Sequence, residues 1–203
     1  VAQAAFEQGA ERVVYSSTGS VYMPIEIEPP ITEKFSAKGN SVYGCTKLMG
    51  EEYLKKSKVP YVILRYAHIY GEGKIGHGAT GGFIHRMKRG LAPLLYGGAQ
   101  SNDFTYVKDI VQGNLLALET SHLGEAFNIG TGEELSTEGV FDILREFFNY
   151  NTEYERVKGR TVDPARFVYD ISKAKELLGF KPQFSFREGM ADWYKVGRDQ
   201  KAA

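Results

Sequence analysis

Residues 59–70, VPYVILRYAHIY, form an almost unbroken apolar run whose aliphatic members are mostly β-branched. A strand of that character has no polar face to give to water, so it belongs in a sheet covered on both sides. Helices supply such a cover, and the rest of the chain alternates accordingly. A helix over about residues 2–8 precedes the apolar strand RVVYSS (12–17), and a Pro-containing loop (23–40) separates that strand from a helix running to about Ser57. After the 59–70 strand, the glycine-rich segment GEGKIGHGATGG is expected as a loop leading into the short helix FIHRMKRG. The pattern then predicts a short strand in PLLYGG, a helix over 106–121, a strand in AFNIGTG (126–132) and a helix in VFDILREFFNY. The segment RFVYD, a helix in ISKAKELLGF and a last helix from Arg187 close the chain. Strand–helix alternation of this kind argues for an α/β fold with a mainly parallel sheet, and 203 residues suit one domain with at most a small appendage. The opening, VAQAAFEQGAERVVYSS, reads as the end of a helix without a cap before Val1. The expectation is that further sequence precedes it in the whole protein.

Charge and cysteine content exclude several classes of function. Lys+Arg and Asp+Glu each number 25, so the formal net charge is zero and nothing favours nucleic acid or an anionic membrane as partner. The single cysteine, Cys45, rules out an internal disulfide framework and a cysteine-based zinc site, and it suits a reducing compartment. His68, His77, His85 and His122 lack metal-ligand spacing, so no metal is expected. No apolar run is long enough to span a membrane and no signal-peptide pattern opens the chain, so the expected location is the cytoplasm.

One helix carries a candidate reaction centre. In SVYGCTKLMGEEYLKK (41–56), Tyr43 and Lys47 stand four residues apart and share a helix face. An ammonium beside a phenol favours the phenolate, which is how a tyrosine becomes an acid/base near neutral pH. The spacing alone equally suits a core-facing Tyr and a solvated Lys. Upstream, RVVYSS runs into Ser16, Ser17 and Thr18, hydroxyl residues at a strand end of the kind where α/β sheets place their ligands. Plain turn chemistry would also put them there.

Taken in order, these segments resemble the extended short-chain dehydrogenase/reductases, and within them the NAD-dependent nucleotide-sugar epimerase/dehydratase group. YSSTGSVY resembles the family's serine-rich strand end, and YGCTKLMGE its Tyr-Gly-x-Ser-Lys-x-x-x-Glu helix. VILRYAHIYG, NDFTYVKDI, AFNIGTG and FVYDISKAKELLGFKPQFSFREGM resemble further family segments, so the likeness covers nearly the whole chain. The resemblance implies the C-terminal part of a Rossmann-like doubly wound parallel sheet plus a smaller α/β substrate-binding domain. It assigns residues 1–71 to the second half of the NAD-binding domain and 72–203 mainly to substrate binding, with 103–132 returning to the Rossmann sheet. The implied cofactor is NAD, the implied substrate a nucleotide sugar, and the implied assembly a homodimer through the Tyr/Lys helix, to which Leu48, Met49 and Leu54 would contribute.

By the same resemblance Tyr43 exchanges a proton with a sugar hydroxyl, Lys47 holds the nicotinamide ribose, and Thr18 hydrogen-bonds the reacting sugar oxygen. Ser16, Ser17 and His68 would lie beside the cofactor. On the substrate side, Leu94 and Tyr96 would pack against the base, and Arg160 with Asp163 would match an Arg-x-x-Asp pattern. Asn102 stands where the family usually has a diphosphate-clamping Arg, and an uncharged amide cannot make that bidentate contact. His68 replaces a usual Asn, and Cys45 falls on another helix face with no implied role. Gly19 and Ser20 occupy the place where dehydratases and decarboxylases carry a Glu, so the expected chemistry is 4-epimerisation. A reductase or dehydratase of the same group is the alternative, as is a non-catalytic NAD- or sugar-nucleotide-binding protein or an inactive fragment. Gly71, Gly73 and Gly76 spell a literal G-x-G-x-x-G, but no helix is expected at once and no acidic residue follows before Asp103. We read it as a loop near the substrate, and the NAD phosphate site as lying outside these residues.

Overall fold

The computed structural model describes residues 1–22, 28–39, 41–72, 78–97, 100–159 and 165–199. Helix α1 (Ala2–Glu7) leads to strand β1 (Val13–Thr18), a 3-10 turn over Gly19–Tyr22 and helix α2 (Val42–Lys56). Strands β2 (Tyr61–Tyr66) and β3 (His68–Tyr70) follow, then helix α3 (Gly78–Met87) and strands β4 (Leu94–Tyr96), β5 (Ser101–Asn102) and β6 (Phe104–Tyr106). Next come helix α4 (Val107–Glu119), strands β7 (Glu125–Ile129) and β8 (Leu135–Ser136), and helix α5 (Thr137–Phe148). Strands β9 (Glu155–Val157) and β10 (Arg166–Phe167), a π-helical turn over Ala174–Leu178 and helix α6 (Phe186–Asp199) complete the order.

The molecule is α/β, and its longest sheet is parallel. β2 sits between β1 and β7, pairing Val13 through Thr18 with Tyr61 through Tyr66 on one edge and Glu125 through Ile129 on the other. Val62, Ile63 and Leu64 are fully buried, as their lack of a polar face requires. Ile63 joins Leu54 of α2 and Ala2 of α1 on one side, while Val62 and Leu64 join Ile110 and Ala117 of α4 on the other. Helices therefore cover both faces of the strand that predicted them.

Three expectations change. The single strand expected over 59–70 breaks at Ala67. Ala67 N still donates to Ile129 O of β7, but His68 N turns to Asp103 O, and β3 then pairs in parallel with β6. The apolar run is shared between two sheets because its outer residues find a second partner. Within the expected glycine-rich loop, residues 78–82 are helical and open α3. Phe83, Ile84 and Met87 bury against Phe141 and Leu144 of α5, and this packing outweighs the poor helix propensity of the glycines. Residues 73–77, which hold Gly73, Gly76 and His77, lie outside the described residues. The expected helix in ISKAKELLGF takes its described form as the π-helical turn, ended by Gly179 at φ 68°. Among the described residues, no helix is long and apolar enough to cross a membrane.

Candidate active site

The site is assembled where α2 lies along β1. Ser41 opens α2 by accepting from Gly44 N at 3.0 Å through its side chain. Gly44 then lets the helix close on the 3-10 turn, since a Cβ there would stand 2.6 Å from the Ser20 carbonyl oxygen. This brings the first turn of α2, with Tyr43, beside the end of β1. Tyr43 is 54% exposed, so its phenol is open to a ligand. Lys47, one turn on, donates from Nζ to Ser16 O at 2.9 Å, with its ammonium 6.0 Å from the Tyr43 ring centroid and 5.5 Å from that of Tyr15. Thr18 ends β1, and its Oγ1 accepts from Ser20 N at 3.3 Å. Thr18, Tyr43, Lys47 and Ser16 are thus gathered at the C-terminal end of a parallel strand.

The other candidate residues distribute unevenly. Ser17 is buried and its hydroxyl donates to Glu51 Oε1 at 2.5 Å, so that hydroxyl faces the α2 interface rather than the open side. His68 is exposed, with its ring 5.8 Å from Phe104 and 6.0 Å from Phe167. Leu94 and exposed Tyr96 belong to β4, which pairs with β9. Asn102, partly buried, pairs across β5 with Phe167 and Leu135. Arg160 and Asp163 lie outside the described residues. Of the residues expected at a helix-mediated interface, Leu54 is buried and Leu48 packs against the Val21–Tyr22 cluster, so only Met49 projects outward, 69% exposed. Among the described residues, no group of three or more His, Cys, Asp or Glu side chains could hold a metal ion.

Sequence reading missed the structure's supporting layer. Glu51 is fully buried and receives Arg65 Nε at 3.1 Å and Arg65 Nη2 at 2.6 Å, together with the Ser17 hydroxyl. Arg65 Nη1 also donates to Tyr22 Oη at 2.8 Å, and Tyr22 donates to Asn128 Oδ1 at 2.7 Å. Burial pushes the Tyr22 phenol up to about 12 against the lowering influence of Arg65, so it stays neutral. Burial works against the Arg65 charge, but the bonds from Glu51 and Tyr22 more than offset it. A signal for this pair was present: Arg65 interrupts an apolar strand, and Glu51 continues the Tyr43–Lys47 face by one more turn. A charge in such a strand must find a buried partner. Asp103, the residue after Asn102, is another buried carboxylate. It is pushed up by burial, while four donors hold its charge: Thr131 N, Thr131 Oγ1, Gly132 N and Thr105 Oγ1.

Gly19 has a fixed surrounding. A Cβ at this position would collide with Phe167 Cζ and stand 2.6 Å from Tyr169 Oη. Gly19 is therefore closed to any larger side chain by the aromatic pair Phe167 and Tyr169 of the C-terminal segment.

The description "NAD dependent epimerase/dehydratase family" fits residues 1–130, which its family model matches. A Methanocaldococcus jannaschii protein provisionally named UDP-glucose 4-epimerase is 35% identical over 202 residues, covering 91% of this chain and 63% of that protein. The Thermotoga maritima UDP-glucose 4-epimerase, solved with UDP-glucose, superposes with a TM-score of 0.91 at 32% identity, over 98% of this chain and 67% of the other. The Bacillus cereus UDP-glucuronic acid 4-epimerase, solved with UDP-glucuronic acid and NAD, superposes with a TM-score of 0.85 at 31% identity, over 94% of this chain and 62% of the other. The chain thus spans less than two thirds of the length of the Methanocaldococcus relative.

Proposed function

The chain belongs to the NAD dependent epimerase/dehydratase family, and on that premise we propose that it serves the 4-epimerisation of a nucleotide-linked sugar. The observation that carries this reading is the gathering of exposed Tyr43, Lys47 and Thr18 at one strand end, with no carboxylate beside them at Gly19 or Ser20. Epimerisation needs a proton removed from and returned to one sugar hydroxyl, and it needs no second acid for elimination. When bound, NAD would accept a hydride from the sugar and return it. Tyr43 Oη takes the hydroxyl proton, and Thr18 Oγ1 hydrogen-bonds the same sugar oxygen as its charge develops. Lys47, its ammonium 6.0 Å from the Tyr43 ring centroid, holds the nicotinamide ribose, for which its anchorage on Ser16 O leaves two N–H donors. Ser16 and His68 border the cofactor, and Ser17 supports it from the inner side of the strand.

In this reading residues 1–71 and 103–132 form the cofactor-side domain and the remaining residues bind the sugar nucleotide, with Leu94 and Tyr96 against the base. Asn102 lies toward the diphosphate, and the family resemblance assigns Arg160 and Asp163 to substrate binding. Asn102 gives that group a neutral hydrogen-bond donor. A cytoplasmic setting suits the lone, exposed thiol of Cys45. A homodimer is part of the same proposal, because Met49 and Tyr53 on α2 leave apolar side chains in water that a second copy would cover. Replacing Tyr43 by Phe in the whole protein should lower kcat for UDP-sugar epimerisation by about 10²–10⁴-fold, the usual worth of a positioned acid/base. Unchanged turnover in that variant would sink the mechanism.

A further inference from the structure

Tyr15 has no assigned role, yet it touches Lys47 twice. Its phenol donates to the Lys47 backbone carbonyl at 3.2 Å, and its ring faces the Lys47 ammonium at 5.5 Å from the centroid. The contact is built from both sides. Tyr15 and Ser17 lie two apart on β1 and so share a face, and they bond residues 47 and 51 of α2. Two strand hydroxyls thus hold two successive turns of the helix. Gly50 supplies the notch: a Cβ there would collide with Tyr15 Oη and stand 2.5 Å from Cζ. Burial, with Glu51 and Tyr43 nearby, raises the Tyr15 phenol above its ordinary range, so it remains a protonated donor.

We propose that Tyr15, seated in the notch left by Gly50, is the positioning residue for the Lys47 ammonium, fixing it against Ser16 O on the side facing Tyr43. The consequence for catalysis rests on the function proposed above, but the coupling of Tyr15 to Lys47 does not. The ring holds the ammonium and covers one side of it, so losing the ring leaves Lys47 Nζ more accessible. Leucine at this position removes the ring and keeps an apolar side chain, whereas phenylalanine keeps the ring and removes only the hydroxyl.

The test is competitive acetylation of the intact chain with limiting acetic anhydride, with each lysine read by peptide mass spectrometry. Lys55, on the same helix and paired with Glu52, is the internal reference. Tyr15→Leu should raise Lys47 labelling about two- to fivefold relative to Lys55, the size of a cation–π contact at a partly exposed site. Tyr15→Phe should stay near wild type. Gly50→Ala, which fills the notch and displaces the ring, should reproduce the Tyr15→Leu result and guards against a folding defect in either variant. Three outcomes overturn the proposal: unchanged Lys47 labelling in Tyr15→Leu, a parallel rise at Lys47 and Lys55, or an equal rise in Tyr15→Phe. The assay needs neither cofactor nor substrate, so its failure is distinguishable from a failure of the epimerase reading, which Tyr43→Phe kinetics addresses.

Discussion

Glu51→Gln perturbs one buried charge and leaves its partner in place. Glu51 is fully buried, Arg65 is 4% exposed, and the carboxylate accepts two guanidinium N–H groups and the Ser17 hydroxyl. The amide of Gln keeps the shape, but it removes the countercharge and presents a donor where one oxygen accepted. Breaking a buried pair from one side costs about 3–5 kcal/mol, because the surviving charge stays desolvated. For a chain of this size each kcal/mol moves the melting temperature by about 2–4 °C, so the expected fall is about 6–20 °C. Thermal unfolding followed by circular dichroism reads that fall, and urea unfolding reads the free energy as a shifted midpoint with an unchanged slope. Arg65→Met should cost a similar amount. The double change to Met at both positions should cost far less than the two single losses added, since an apolar pair of similar volume often matches a buried ion pair in stability. What remains in the double variant is the loss of partners for Ser17 and Tyr22, about 1–3 kcal/mol for each group left unpaired. A Glu51→Gln loss below about 1 kcal/mol, or additive behaviour in the double variant, would refute the view that this pair clamps α2 to the sheet.

Other expected outcomes follow from single contacts. Gly19→Ala drives a methyl into Phe167 and Tyr169 and should cost about 1–3 kcal/mol by urea midpoint, part of which Phe167→Leu restores. Glu134 is held down at about 2 by its bonds from Arg166 and Ser101, so its contribution is full above about pH 4.5 and lost as pH falls toward 2. Glu134→Gln should flatten the stability curve across that window and nowhere above it. The side chain is exposed, so the effect should be small and should shrink further in 1 M salt. Met49→Lys with Tyr53→Lys should shift sedimentation from dimer to monomer without altering the far-ultraviolet spectrum, and an unchanged sedimentation coefficient would count against an interface through α2.

The sequence by itself determined the class of fold and the helix face that Tyr43 and Lys47 share. An apolar run such as Val62–Leu64 can rest only between two helical layers, and the spacing of Tyr43 and Lys47 puts both on one helix face. These are local consequences of period and solvation, which any chain with this pattern must obey. Only the tertiary structure decided where the 59–70 run divides, because the switch at Ala67 depends on whether Ile129 or Asp103 offers the next carbonyl. It alone made a helix of residues 78–82, through packing on a helix some sixty residues away. It also turned Ser17 inward to Glu51 and set Tyr15 against Lys47, although all four residues stood in view. Which hydroxyl meets which turn of α2 is settled by the register of a helix on a strand, and that register comes from long-range partners such as Arg65 and from the space left at Gly44 and Gly50. Local pattern selects the parts, but distant contacts choose how they meet.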